Sequence, residues 1–78
     1  MNVKIEITFE AEVDKIKEIL ADGVANQWTS SILPGTVHGL CVVTWSANRL
    51  TPHEAEYMMQ EANRLHRNPF EEEKMKPA

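Results

Sequence analysis

From Val3 to Phe9 the chain alternates apolar and polar residues without a break. Val3, Ile5, Ile7 and Phe9 fall on one side; Lys4, Glu6 and Thr8 fall on the other. A period of two is the geometry of an extended strand, whose successive side chains point to opposite faces. Such a strand requires a sheet with one face covered and one face wet. With 78 residues there is room for one domain only. The cover must therefore come from elements close by in the chain.

The following segment supplies one. Over residues 12–26, Val13, Ile16, Leu20 and Val24 recur at spacings of three and four, with Ile19 and Gly23 flanking the stripe. This predicts an amphipathic helix whose Val13–Val24 stripe meets the sheet. On this reading Leu20 is an interface residue, and an Asp there would unfold the domain. Asp14, Glu18 and Asp22 form a negative ridge on the solvated side. Gly23 reads either as the residue that ends the helix or as an interior glycine.

Residues 28–33 (Trp-Thr-Ser-Ser-Ile-Leu) read as a short edge strand, turning at Pro34-Gly35, which suit the central positions of a type II turn. Residues 37–46 read as a further strand. Leu40, Val42 and Thr44 alternate with Cys41, Val43 and Trp45, so both faces are mostly apolar and the strand belongs in the middle. Thr51-Pro52-His53-Glu54 is a capping box that opens a second helix. Ala55, Met58, Met59, Ala62 and Leu65 form its apolar stripe, and Asn68-Pro69 stops it.

The expected fold is thus a small α+β domain, β-α-β-β-α, over residues 1–68. Its three-stranded antiparallel sheet has spatial order 2-3-1, with both helices on one face. Residues 69–78 read as a flexible acidic tail, because Phe70 and Met75 are its only large apolar groups.

Charge and cysteine content narrow the function classes. Twelve Asp and Glu against eight Lys and Arg give a net charge of −4, which argues against a general nucleic-acid binder. A single cysteine, Cys41, can form no disulfide within the chain, so a reducing, cytoplasmic setting is expected. The longest apolar run, Leu40 to Val43, is far too short to span a membrane. No secretory leader is expected, because charge and apolar residues alternate from Lys4 onward, and there is no glycine-rich phosphate loop.

The candidate chemical groups are few. His38 and Cys41 form H-x-x-C, but residues three apart on a strand point to opposite faces, and a buried structural thiol is the simpler role. His53 and His66 lie at opposite ends of the second helix, about 20 Å apart, too far to share a metal. No catalytic residue, metal or cofactor is assigned.

What remains is contact surface. Two helices cover one face of the sheet, and the strand over 37–46 is apolar on both. Interaction residues are therefore assigned to Trp28, Leu40, Val42 and Trp45, with an exposed helical strip of Tyr57, Gln60, Glu61 and Arg64. The expected function is a non-catalytic protein-interaction domain. It would form a homodimer or dock on, and inhibit, a larger protein, as viral and mobile-element accessory proteins do. One alternative is a nucleic-acid module with Trp45 as stacking platform and Arg49, Arg64 and Arg67 on phosphates. Another is a small metal- or thiol-dependent enzyme built on His38, Cys41 or His53.

Overall fold

A computed structural model describes residues 2–67. The expected tail, 69–78, lies outside the described residues. The elements run β1 (Val3–Glu12), a 3-10 turn (Val13–Lys15), α1 (Ile16–Asn26), β2 (Thr29–Pro34), β3 (Leu40–Leu50) and α2 (Pro52–Leu65). The sheet has order β1-β3-β2, and β3 runs antiparallel to both neighbours. β1 and β2 are therefore parallel to each other with β3 inserted between them, a split β-α-β arrangement. The α+β architecture and strand order are those expected from the sequence.

The covered face carries Phe9 and Ala11 from β1 and Cys41, Val43 and Trp45 from β3, all buried. Register explains the match: Phe9 lies opposite Val43, Ile7 opposite Trp45 and Ala11 opposite Cys41. Residues directly opposite in an antiparallel pair share a face. Ile32 is opposite Val43 on the other side and packs against the same core. Trp28, Ile19, Met58 and Leu65 complete it from above.

Several boundaries differ from expectation. β1 runs on to Glu12, because Ala11 and Glu12 still find partners in Cys41 and Leu40. β2 extends through Pro34, and the turn occupies residues 35–39 in place of a two-residue turn at Pro34-Gly35. Gly39 closes that turn at φ +85°, a left-handed backbone that suits glycine. β3 accordingly starts at Leu40 and not at residue 37.

The larger correction concerns α1. Its sheet-facing residues are Ile16, Ile19 and Gly23, of which Ile19 and Gly23 are buried. Val13 is 47% exposed, Leu20 44% and Val24 81%, so of the expected Val13–Val24 stripe only Ile16 meets the sheet. The 3-10 turn delays the start of the helix, and Gly23 fixes its phase. A Cβ on Gly23 would stand 2.4 Å from Ser30 Oγ and 3.1 Å from the Trp28 carbonyl oxygen, so a side chain there would displace the Ser30 hydroxyl and crowd the close approach of α1 to β2. The helix runs past Gly23 and ends at Gln27, which takes the left-handed conformation (φ 62°).

α2 begins as its capping box requires. Thr51 Oγ1 accepts from the Glu54 N–H at 3.2 Å, and Glu54 Oε1 accepts from the Thr51 N–H at 2.9 Å. The bond from the Thr51 N–H, and after it the Thr51 hydroxyl, hold the Glu54 carboxyl below its ordinary pKa. Ala55, Met58, Ala62 and Leu65 are buried as expected, whereas Met59 is 47% exposed.

Candidate interaction surface

The assigned interaction residues separate into three groups. Trp28 and Trp45 are core residues. Trp45 has no exposed surface and lies between Phe9, at 5.0 Å between ring centroids, and Trp28, at 4.7 Å. A stacking platform for bases at Trp45 is therefore ruled out by burial.

Glu61 and Arg64 are engaged within the chain. Arg64 pairs with Glu61 at 3.0 Å and with Glu18 of α1. Asp22 Oδ2 is 4.0 Å from the same guanidinium, too far for a hydrogen bond. Glu18 and Asp22 thus face α2, which corrects the solvated acidic ridge. Burial first, then a hydrogen bond and repulsion from Glu61, push the Asp22 carboxyl up to about 6. Protonated, Asp22 donates to Glu61, whose own pKa is lowered chiefly by Arg64. Tyr57 and Gln60 remain exposed on α2, with the Tyr57 ring 6.0 Å from that of Trp28.

Leu40 and Val42 do lie on the uncovered face of the sheet, partly exposed. The register surrounds them with Glu12 and Glu10 of β1 and with Leu33 of β2, which is opposite Val42 and 61% exposed. The remainder of this face is polar: Thr8, Thr44, Ser31, Ser46 and Thr29 line up across the three strands, and Thr8 and Thr44 share a 3.1 Å hydrogen bond. The apolar part is a corner at the β2 side, with Leu33 as its most exposed member.

Two features of that side escaped the sequence reading. β2 is an edge strand without a single charged residue: Thr-Ser-Ser-Ile-Leu-Pro. Edge strands are normally guarded by charge, and β1 fits that habit with Lys4, Glu6, Glu10 and Glu12. The second feature is the flank of α1. At 100° per residue, Glu18 and Asp22 lie on one side of the Ile19–Gly23 line and Leu20 and Val24 on the other. Since Glu18 pairs with α2, the Leu20–Val24 flank faces away from α2, and α1 itself packs on the edge strand β2. Counting charges along each strand would have revealed the first feature. The second needed the helix phase, which Gly23 hid.

The catalytic alternatives find little support in the geometry. Cys41 is buried and its Sγ donates to the Ala11 carbonyl at 3.4 Å, with burial raising its pKa. His38 is exposed in the turn before β3, away from the core that holds the thiol. Among the described residues no three His, Cys, Asp or Glu side chains group as metal ligands, and no helix is long and apolar enough to cross a membrane. No family model, curated protein or solved structure matches the chain.

Proposed function

We propose that this chain is a non-catalytic protein-interaction domain that self-associates through the free edge of β2. A second copy would add its own β2 antiparallel, continuing the sheet, and the Leu20–Val24 flanks of the two α1 helices would meet above the join. The observation that carries this reading is an uncharged edge strand packed by a helix whose Leu20–Val24 flank is exposed. Backbone pairing supplies the attachment and the flanks supply buried apolar area. An isologous contact of this kind closes as a dimer.

Sedimentation equilibrium of the full chain over roughly 1–100 µM tests it. A dimer is expected, weakened by Val24→Asp above the join and by Leu33→Lys, which puts a charge on the exposed edge strand. A strict monomer throughout that range, or a dimer that both variants leave unchanged, overturns the proposal. Val24 is exposed enough for its substitution to leave the fold intact.

A further inference from the structure

The end of α1 and the start of α2 share a cleft, and the two helix ends are in opposite conditions. Ala25, Asn26 and Trp28 line it from one side and His53, Glu54 and Tyr57 from the other, around about 390 Å³. A helix leaves its last four carbonyls without partners inside it. In α1 those of Gly23 and Val24 accept the Trp28 N–H at 2.8 Å and the Gln27 N–H at 3.4 Å. Among the described residues, no backbone N–H reaches those of Ala25 and Asn26. The last turn of α1 also carries no basic residue, so nothing in that turn offsets the negative end of its dipole. The donor end of α2, in contrast, is closed by its own capping box: the Thr51 hydroxyl takes the Glu54 N–H, and Pro52 brings none. Glu54 uses only Oε1 in that box, and Oε2 makes no hydrogen bond among the described residues.

We propose that this cleft binds a guanidinium group, stacked on the Tyr57 ring, with its N–H groups donating to the open carbonyls of α1 and the Glu54 carboxylate as counter-charge. Acceptors outnumber free donors here, which selects a cation over an anion. The aromatic wall selects among cations. Tyr57 is 44% exposed and its ring is held 6.0 Å from that of Trp28, which is itself only 6% exposed. The Tyr57 ring is thus backed by the core on one side and open to solvent on the other, as a cation–π contact requires. A guanidinium is planar and weakly hydrated, with five N–H donors in its plane, so it can stack and donate at once. A quaternary ammonium stacks but has no N–H for the carbonyls. An alkylammonium donates, but gives up a strong hydration shell to do so. The volume exceeds one guanidinium, which leaves room for the chain that carries it. That chain belongs either to a free guanidino compound or to an arginine side chain of another protein, and the group recognised is the same in both.

Amide chemical shifts of the full-length chain, titrated with methylguanidinium to about 50 mM, test the proposal. Saturating shifts are expected at Asn26, Gln27, His53 and Tyr57, with weaker binding of tetramethylammonium. Tyr57→Leu should weaken methylguanidinium about threefold by removing the ring face. Glu54→Gln should weaken it by about as much, since its amide oxygen keeps the cap and only the charge is lost. The same spectra report that each variant stays folded. Shifts that never saturate, an affinity that both variants leave unchanged, or equal binding of tetramethylammonium overturns the proposal. So does tighter binding of acetate, which would make the cleft an anion site. Two further titrants separate the sources. Tighter binding of a capped Gly-Arg-Gly peptide than of free arginine assigns the cleft to a protein side chain, and the reverse order assigns it to a small guanidino compound. Self-association at β2 is read by sedimentation and does not enter this titration, so either proposal can fail alone.

Discussion

The ring of Trp28, just before β2, packs on that of Trp45 in the middle of β3, with 4.7 Å between centroids and a tilt of 51°. Phe9 meets the other side of Trp45 edge-on. This aromatic stack joins β1, β3 and the entry to β2, and Trp45 is the largest fully buried side chain among the described residues. Trp45→Ala is expected to cost about 3–5 kcal/mol, enough to unfold most of a domain this small. Trp45→Phe should stay folded and lose less than about 2 kcal/mol, because it also removes an indole N–H that is buried without an acceptor. Urea unfolding followed by Trp28 fluorescence measures the second variant. A loss as large as that of Trp45→Ala would contradict this account.

Neighbouring positions on α1 should respond in opposite ways. Ile19 is fully buried and Leu20 is 44% exposed. Ile19→Asp is expected to abolish folding, since it strands a charge in the core. Leu20→Asp should change stability by less than about 1 kcal/mol when the protein is dilute enough to be monomeric. Circular dichroism during urea titration decides. An unfolded Leu20→Asp variant would restore the helix phase suggested by the sequence pattern alone.

That phase shows where sequence reasoning reaches its end. The alternation over Val3–Phe9, the capping box at Thr51 and the doubly apolar run at Leu40–Trp45 each admit one structure, and each is found. α1 offers two apolar stripes one residue apart. The choice between them is made by Gly23, which contributes no hydrophobic signal, only the room that Ser30 and Trp28 need. The same error hid the candidate interface, because Leu20 and Val24 were counted as core. Arg64 reads as free surface for the converse reason: its partner Glu18 lies 46 residues away in the chain.

Asp22 should give the domain a measurable pH dependence. Its carboxyl has an ordinary value of 3.8 and is raised to about 6 in the folded chain. The folded state therefore holds a proton that the unfolded state releases. The stabilisation from that proton is complete below 3.8 and is lost as pH rises through about 6. Glu61, whose pKa is lowered, acts with the opposite sign, so the test must isolate Asp22. Asp22→Asn keeps the shape and stays neutral. It is expected to raise the urea midpoint at about pH 7 and to change it little near pH 4. An equal shift at both pH values would show that the carboxyl does not titrate in this way.

Cys41 should behave as a core thiol. Its side chain is buried against β1, and burial holds its pKa above the ordinary 9.0. Only the thiolate reacts, so labelling by a disulfide reagent in native buffer is expected to be slow and to accelerate with urea as the fold opens. Immediate stoichiometric labelling of the native protein would remove Cys41 from the interior.

The strand order has a consequence for how the chain comes into being. β1 and β2 touch no strand but β3, which begins at Leu40 and ends at Leu50. During synthesis, the first half of the polypeptide thus emerges without any ladder to join. Its oily residues stay uncovered until the middle strand clears the ribosome and slides between the two that were made before it. Closure of this sheet is a late, all-at-once event in the life of a nascent chain, and the interval before it is when the molecule is most open to capture by others.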